Sequence, residues 1–203
     1  MTFNCIGFIG VGVMGEPMCR HLATKSGLQV LASDTAPEPL ERLAASGVQA
    51  VAQDVMLARA DIVFLSLPSG AVVEAVMLGP QGLLARARAG QTFVDLSTSP
   101  YDTARRLFEA AVASGVHVAD APVMRTRAAA EAGTLAVMVG ATPAVFDAIA
   151  PLIRTFASEV MHVGGAGAGQ VVKILNNMVV YETVLALAEA RAIATRVGMD
   201  AET

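Results

Sequence analysis

The stretch GAGAGQVVKILNNMVV, from Gly165 to Val180, contains one charged side chain, that of Lys173. Asn176 and Asn177 follow it by three and four residues, so a helix would place the three polar groups close to one face. Apolar surroundings lower the pKa of an amine, which makes it a better general base near neutral pH. Asn177 can hold a hydroxyl or a carbonyl as a neutral donor and acceptor, whereas Asn176 can equally satisfy backbone groups. These residues predict proton transfer at a polar substrate, and the plain alternative is a lysine that extends along its helix to water.

A second group of residues predicts a dinucleotide site near the N-terminus. Gly10, Gly12 and Gly15 form a G-x-G-x-x-G directly after the apolar run CIGFIG and at the start of a helical pattern. In such a loop the glycines permit the tight turn, the approach of a pyrophosphate and the packing of the helix on the strand. The amides and the dipole of the helix N-terminus then hold the phosphates. A G-x-G-x-x-G motif also occurs by chance, so the prediction of a dinucleotide site depends on its position directly after a predicted strand.

The end of the second apolar run indicates which nucleotide binds. Asp34 follows LQVLAS, where a carboxylate can accept hydrogen bonds from ribose hydroxyls, and a cap of the turn before TAPEP is the alternative. A 2′-phosphate would be repelled by Asp34 and would need a cation beside it. Thr35 and Ala36 follow instead, and no basic residue appears before Arg42. The sequence therefore favours NAD over NADP.

Alternating β-branched runs and alanine-rich helical stretches must position these residues. The expected strands are 5–10, 28–33, 61–67, 91–96, 115–120, 134–140 and 159–164, and the expected helices are 13–25, 37–46, 70–78, 100–114 and 143–157. This alternation predicts an α/β fold with a Rossmann-type, doubly wound and mostly parallel sheet. One long helix without internal proline follows, from Gly169 to about Val197. We therefore predict a dinucleotide-binding domain over 1–164, and over 165–203 a long interdomain helix that begins a truncated all-α domain.

Composition argues against several other classes of protein. The net charge is −4 without a cluster of lysine or arginine, which argues against nucleic acid and anionic membrane surfaces. No uninterrupted run reaches the roughly 18 to 20 apolar residues that cross a bilayer, and the start lacks the basic region of a secretion signal. Cys5 and Cys19 are too few for a disulfide framework, and His21, His117 and His162 lack partners at metal-ligand spacing. We expect a cytoplasmic protein that binds no metal and does not engage a membrane.

Five motifs together resemble the β-hydroxyacid dehydrogenase family, which includes 3-hydroxyisobutyrate dehydrogenase and tartronate semialdehyde reductase. They are FIGVGVMGEPM (8–18), SLPSGAVV (66–73), DLSTSP (95–100), DAPV with AGTLAVMVG (120–140) and GAGQVVKILNN (167–177). The resemblance covers the whole chain. Members of the family are about half as long again, and the remainder is an all-helical domain that closes the cleft and drives the pairing of subunits. The resemblance therefore implies a homo-oligomer at full length.

The resemblance also implies a role for each matched residue. Lys173 would be the general acid and base, because hydride transfer from a nicotinamide to an aldehyde creates an alkoxide that needs a proton. Ser97 and Asn177 would contact the substrate, and Thr98 would face the nicotinamide. The implied cofactor contacts are Gly10, Val11, Gly12, Val13, Met14, Gly15, Asp34, Thr35, Leu67 and Pro68. The implied reaction interconverts a 3-hydroxy acid, or a similar anionic alcohol, and its semialdehyde with NAD.

One segment departs from the family pattern. Most members have Ser-Gly-Gly after D-A-P-V, whereas this chain has Met124, Arg125 and Thr126. A planar fork of donors suits a sulfonate, a phosphonate or a second carboxylate, and an Arg-Thr pair here resembles a branch with sulfolactaldehyde reductases. We therefore expect Met124, Arg125 and Thr126 to belong to the substrate site, with Arg125 and Thr126 binding an anionic substrate, while the alternative is an Arg125 that turns out to solvent.

Two further classes of function stay open on the sequence. The first is a nucleotide-binding module that has lost catalysis and works through protein contacts, although such relatives replace the lysine that is present here as Lys173. The second is imine reduction on the same scaffold, whose members usually carry another residue at that position. A sulfolactaldehyde-type reductase is the alternative within the dehydrogenase class.

Overall fold

The computed structural model describes residues 1–200, and over these residues it contains a nine-stranded sheet flanked by helices. The strands are β1 (Cys5–Ile9), β2 (Gln29–Ser33), β3 (Gln49–Ala50), β4 (Ile62–Leu65), β5 (Thr92–Asp95), β6 (His117–Asp120), β7 (Val123–Met124), β8 (Leu135–Gly140) and β9 (Ala157–Gly164). Their order is β3-β2-β1-β4-β5-β6-β8-β7, with β9 paired to β8. Strands β1 to β6 are parallel, as are β8 and β9, while β8 runs antiparallel to β6 and β7. The predicted Rossmann-type, mostly parallel sheet is confirmed.

Helices connect the strands and cover both faces of the sheet. Within the described chain they are α1 (Gly15–Lys25), α2 (Pro37–Ala44), α3 (Gln53–Arg59), α4 (Gly70–Leu78), α5 (Leu83–Arg86), α6 (Tyr101–Ser114), α7 (Arg127–Ala132), α8 (Pro143–Ile153) and α9 (Ala168–Arg196). Helix α4 has the predicted bounds, and the other long helices begin or end within a few residues of theirs. The sequence did not predict α3, α5 and α7, because a helix of one or two turns is too short to display its period.

Alternation along the central strands divides the core into two layers. Phe8 of β1 stacks on Phe64 of β4 in one layer, with ring centroids 6.1 Å apart. Ile9 lies in the other layer with Phe93 of β5. Successive side chains of a strand point to opposite faces, so a strand buried on both faces reads as an unbroken apolar run. The same burial fixes the carboxyl ends of β1, β4, β5 and β6 at one edge of the sheet.

Helix α9 differs from the others because most of its surface is exposed. Among its described residues only Gly169 and Gln170 are buried. Leu175, Met178 and Tyr181 are 56%, 60% and 70% exposed. The apolar residues of α9 therefore do not enclose Lys173, which corrects the simplest interpretation of its sequence.

The expectation about membrane-crossing length also needs a correction. Over residues 1–200, one helix, α9 (Ala168–Arg196), is long and apolar enough to cross a bilayer by length and composition. The sequence argument counted uninterrupted apolar residues, which Lys173 and Glu182 break, whereas the average over the helix tolerates them. Length and composition alone are weak evidence, because helices that pack in protein interiors pass the same test.

Candidate functional site

The glycine loop after β1 has the conformation and close contacts of a dinucleotide turn. Gly10 has φ +87°, a conformation that side chains with a Cβ rarely adopt, and a Cβ there would overlap the carbonyl oxygen of Ser66. A Cβ at Gly15 would overlap the carbonyl oxygen of Gly10, so the third glycine permits α1 to pack on the loop. A Cβ at Gly12 would meet nothing within 4 Å, so the open side of the loop lies at the middle glycine.

A cavity of about 660 Å³ opens beside this loop at the carboxyl edge of the sheet. It is lined by Ile9, Gly10, Gly12, Val13, Met14, Gly15, Ser33, Asp34, Thr35, Gln53, Ser66, Leu67, Pro68, Val72 and Val76. The lining includes every predicted cofactor residue except Val11, which is buried, and Thr98, which is exposed in the loop after β5. Helix α1 begins at this cavity, so its free amides fit the phosphates of a dinucleotide.

Asp34 lines the cavity and also organises its wall. Its Oδ2 accepts a hydrogen bond from the Val11 amide at 2.6 Å, and its Oδ1 accepts one from the Ala36 amide at 2.9 Å. The turn-capping alternative raised by the sequence is therefore present in the structure. Thr35 Oγ1 also donates to Oδ1, at 3.4 Å. A carboxylate offers about four lone-pair positions, so these three bonds leave capacity for a ribose hydroxyl. That second role stays a prediction.

Ser97 connects the cavity wall to the loop after β5. Its buried Oγ accepts a hydrogen bond from the Leu67 amide at 2.9 Å, and Leu67 and Pro68 line the cavity. A side-chain hydrogen bond from Ser97 also favours the charged form of Asp95. Thr98, the next residue, is exposed. The Leu-Pro turn is thus hydrogen-bonded directly to the predicted substrate loop.

Two buried acidic residues end the neighbouring strands β5 and β6, where Asp95 and Asp120 are register partners. Asp95 accepts hydrogen bonds from the Ser97 amide at 2.9 Å and from Ser99 Oγ at 3.0 Å. Burial raises the pKa of Asp95 to about 6, and the hydrogen bonds from Ser97 and Ser99 oppose that rise. Asp95 therefore holds the Ser97 loop in a shape that its protonation can alter.

Asp120 caps the start of α9. Its Oδ1 accepts from the Gly167 amide at 2.7 Å and its Oδ2 from the Gln170 amide at 2.9 Å. Burial raises the pKa of Asp120, while the amides of Gly167 and Gln170 favour its charged form. An acidic cap satisfies amides that have no partner within the helix and interacts favourably with the helix dipole.

The sequence argument did not single out Asp95, Asp120 and Gln170, although all three stand inside the quoted motifs. A usable signal was present, because an acidic residue stands at or next to the end of each of two consecutive predicted strands. The carboxyl ends of parallel strands share one edge, so two such residues meet at the site. Nothing in the sequence pattern indicated that Gln170 would be buried against them.

Lys173 lies on the inner face of α9. Lys173, Asn176 and Asn177 are half-buried, while their neighbours Ile174 and Leu175 are exposed. Burial lowers the pKa of Lys173, the direction that the sequence predicted. Within residues 1–200 neither a hydrogen bond nor an ion pair engages its ammonium group, so the amine is available to a substrate. The expected clustering of Lys173 and Asn177 on one helix face is confirmed.

Arg125 does not have the environment that the sequence predicted. Its guanidinium pairs with Glu159 and also donates to the carbonyl of Thr134 and, at 3.1 Å, to Ser158 Oγ. The group is thereby directed toward the start of β9 rather than left open to an anion. Arg125 has φ 81°, the one positive value among the described residues other than glycine, as expected where the family has glycine.

The residues beside Arg125 stay as predicted candidates. Met124 is half-buried in β7, and Thr126 is exposed at the N-cap of α7 without a side-chain cap bond. Over residues 1–200 no group of three or more His, Cys, Asp or Glu side chains is arranged to hold a metal ion. His162 stacks on Phe146 with centroids 4.8 Å apart, and its Nε2 lies 2.8 Å from the Ala141 carbonyl oxygen.

Comparison with known proteins gives the same assignment as the loop geometry. Residues 5–164 match the family described as the NAD binding domain of 6-phosphogluconate dehydrogenase. The chain is 40% identical over 199 residues to 2-(hydroxymethyl)glutarate dehydrogenase of Eubacterium barkeri, covering 98% of this chain and 66% of that protein. It is 37% identical over 196 residues to 3-hydroxyisobutyrate dehydrogenase of Pseudomonas aeruginosa, covering 96% and 65%. The chain thus spans about two thirds of the length of these relatives.

A solved structure agrees with the sequence comparison. The structure of Mycobacterium tuberculosis 3-hydroxyisobutyrate dehydrogenase with L-serine has a TM-score of 0.90 and 36% identity, covering 98% of this chain and 67% of that one. The similarity extends beyond the sheet to α9, which carries Lys173. The glycine loop, the cavity, the family match and these relatives together show that the chain belongs to the β-hydroxyacid dehydrogenase family and contains its NAD-binding domain.

Proposed function

We propose that the protein is an NAD-dependent oxidoreductase that interconverts a hydroxy acid and its semialdehyde. One observation carries the proposal. A hydrogen-bonded path leads from Leu67 in the cavity wall through Ser97 to Gln170. Lys173 follows one helical turn later, and its amine has no hydrogen-bond or ion-pair partner among residues 1–200. The path connects a dinucleotide cavity to an acid–base group, which is the combination that carbonyl reduction requires.

Each residue of the site has one role in the proposed reaction. The glycine loop, Asp34, Thr35, Leu67, Pro68 and Thr98 would hold the dinucleotide, whose nicotinamide supplies or accepts the hydride when bound. Lys173 donates a proton to the carbonyl oxygen during reduction and accepts the hydroxyl proton during oxidation. Ser97 and Asn177 orient the oxygen that changes between hydroxyl and carbonyl. The lowered pKa of Lys173 favours this exchange, because a proton moves easily when the amine is not held in its charged form.

NAD is the proposed nucleotide. Asp34 lines the cavity at the end of β2, where a 2′-phosphate would meet its negative charge. The nearest downstream cation in the sequence, Arg42, is engaged by Glu16 through two bonds of 2.8 and 2.7 Å. Arg42 is thus not free to compensate a phosphate.

The proposed substrate is a small anionic hydroxy acid. One relative is named for 2-(hydroxymethyl)glutarate, which carries two carboxylates, and another for 3-hydroxyisobutyrate, which carries one. Ser97, Met124, Thr126 and Asn177 stay in the proposed substrate site. Arg125 is left out of it, since Glu159 engages its guanidinium.

Two further proposals concern the intact protein. We place it in the cytoplasm, where NAD is available and the buried free thiols of Cys5 and Cys19 stay reduced. We also propose that it self-associates and that the exposed apolar residues of α9 contact protein rather than lipid.

The test is turnover by the intact enzyme, meaning this chain with whatever residues follow it in the natural protein. The substrate panel contains mono- and dicarboxylic 3-hydroxy acids, their semialdehydes, a sulfonated hydroxyaldehyde and a cyclic imine. Each compound is assayed with NAD and with NADP, in the redox state that the reaction requires. We expect NAD-linked oxidation of a carboxylic hydroxy acid. Binding of NAD without turnover of any compound would support the non-catalytic module. Preference for the sulfonate or the imine would replace the substrate class.

A further inference from the structure

The side chain of Gln170 is completely buried and uses both ends of its amide. Its Nε2 donates to the Ser97 carbonyl oxygen at 2.8 Å, and its Oε1 accepts from the Ser99 amide at 2.9 Å. The two bonded residues bracket Thr98. A single side chain of α9 therefore clamps both sides of the residue that we expect beside the nicotinamide.

The start of α9 is also where the helix is fastened to the domain. The Gln170 amide donates to Asp120 Oδ2 at 2.9 Å, and Asp120 Oδ1 accepts from Gly167. Beyond this point the described residues of the helix are half-buried or exposed. Because an α-helix is rigid over two turns, the location of Lys173 follows from how residues 167–170 are held.

Gln170 shares a helix face with the proposed catalytic groups. Lys173 lies three residues after it and Asn177 seven residues after it, which are the spacings of one helical face. The Gln170 amide thus sets both the orientation of this face and its distance from the Ser97–Ser99 loop.

We propose that Gln170 is the positioning residue of the active site, which holds Lys173 at a fixed place relative to Thr98 and the nicotinamide. This inference rests on the proposed function. Gln170 itself does not touch the reacting atoms in this scheme. Its effect is geometric, and displacement of an acid–base group by about 1 Å can lower a rate about 100-fold.

The experiment compares two buried glutamines of the same chain. Gln91 is also buried, and its amide bonds to the carbonyls of Leu57 and Ala60 and to the Arg88 amide, away from the cavity. Gln170→Met and Gln91→Met each remove the same amide and leave similar volume. Kinetics in the intact enzyme, NAD affinity and the melting temperature are measured for both variants and for the wild type.

We expect Gln170→Met to lower kcat about 10- to 100-fold, with an NAD dissociation constant within about threefold of wild type. Gln91→Met should lower the melting temperature by a similar amount and leave kcat within about threefold. Equal effects on kcat in the two variants would overturn the inference, as would a loss in Gln170→Met that lies only in NAD affinity.

A conservative variant adds a pH-dependent test. Protonated Gln170→Glu restores the donor to the Ser97 carbonyl, whereas the ionised form has no hydrogen to donate there. The kcat of Gln170→Glu relative to wild type should therefore rise as the pH falls. A kcat that stays well below wild type even at a pH where the introduced carboxyl is protonated would show that this hydrogen bond does not position the helix.

One readout is independent of turnover. The 203-residue chain has two lysines, Lys25 and Lys173, so their carbon-13 NMR titrations in labelled protein are resolved by Lys25→Arg. Gln170→Met should raise the pKa of Lys173 toward its ordinary value, because a loosened helix start admits water. An unchanged Lys173 titration would overturn the inference even if the wild type turns over nothing, an outcome that would by itself defeat the proposed function.

Discussion

At the scale of single residues, burial disfavours the charged form of both Lys173 and Asp95. The pKa values of the two groups therefore shift in opposite directions. The pKa of Lys173 falls and that of Asp95 rises to about 6. The sequence indicated the first shift through the lone lysine between apolar residues. It did not indicate the second, since the burial of Asp95 depends on strands that are separate in sequence, such as β6 with its register partner Asp120.

Replacement of Lys173 by alanine should lower kcat by roughly 10² to 10⁴-fold, the usual contribution of a positioned acid or base. The affinity for NAD should change little, because Lys173 is not part of the cavity lining. Lys25→Ala is the matched control, since Lys25 donates to the Thr155 carbonyl, away from the cavity lining. Near-normal turnover in steady-state assays of Lys173→Ala would remove this residue from the mechanism.

Asp95→Asn should change how stability depends on pH. The pKa of Asp95 is about 6 in the folded protein against an ordinary 3.8, so the folded state binds more protons between these values. The stabilising contribution of protonated Asp95 is complete below about pH 4 and is lost as the pH rises through 6.

The uncharged asparagine should therefore gain stability relative to wild type between pH 4 and 7, by at most about 3 kcal/mol. Urea unfolding at a series of pH values measures the difference. Parallel pH profiles for the two proteins would contradict the raised pKa.

Substitutions of Arg125 separate backbone strain from side-chain contacts. Arg125→Ala and Arg125→Gly both lose the pairing with Glu159, but only glycine relieves the conformation at φ 81°. Arg125→Gly should be more stable than Arg125→Ala by about 1 kcal/mol in urea unfolding. Both should keep the KM for the hydroxy acid within about threefold, and a large increase would instead restore the predicted anion contact.

At the scale of elements, the end of β2 shows how one side chain serves two structures. Asp34 closes the turn into α2 through Ala36 and holds the glycine loop through Val11. The order of strands and helices followed from their periods, because buried parallel strands are continuous apolar runs. The hydrogen bond between Asp34 and Val11 joins segments 23 residues apart, and no local period encodes it.

Asp34→Ala combined with Thr35→Arg should shift the ratio of kcat/KM toward NADP by at least about tenfold, since it removes a repulsive charge and adds a phosphate partner. Thr35→Arg alone keeps Asp34 and its bond to Val11, and should shift the ratio less. Titration of both nucleotides into each variant gives the result. A wild-type preference for NADP would show that our interpretation of this strand end is wrong.

The site could be predicted only in part, for reasons that concern particular elements. The glycine loop and Lys173 belong to local motifs whose spacing is fixed within one turn or one helix. The pairing of Arg125 with Glu159 could not be predicted from the sequence, because Glu159 comes beside Arg125 only after β8 and β9 pair. The sequence alone does not show whether a charged residue in this loop contacts a ligand or forms an ion pair within the protein.

At the scale of the whole molecule, the outer face of α9 is a continuous apolar surface. Met178, Val179, Tyr181 and Leu185 are all more than half exposed. Soluble proteins seldom leave such a patch uncovered, so it indicates a protein contact. The inner face of the same helix carries Lys173, the proposed acid–base residue, so a contact on the outer face would lie one helix diameter from the proposed chemistry.

Val179→Glu with Tyr181→Glu should shift the chain toward monomer in sedimentation velocity. Val112 on α6 is exposed as a single apolar residue, so Val112→Glu controls for the added charge. We expect the double variant to dissociate and the control to match wild type. A wild-type chain that is monomeric at all concentrations would contradict self-association.

Within residues 1–200 the buried residues of α9 lie at its start, so a small rotation there moves the far end of the helix through a larger distance. About 39 Å of helix separates Gln170 from Arg196, so a rotation of about 5° at the fastened end displaces the other by about 3 Å. The helix would rotate about the two hydrogen bonds from Gln170 to Ser97 and Ser99, and Ser97 is in turn bonded to Leu67 in the cavity wall. A small shift of the helix start beside the nucleotide site would therefore produce a larger displacement at Arg196. Distance measurements between attached spin labels could detect that displacement.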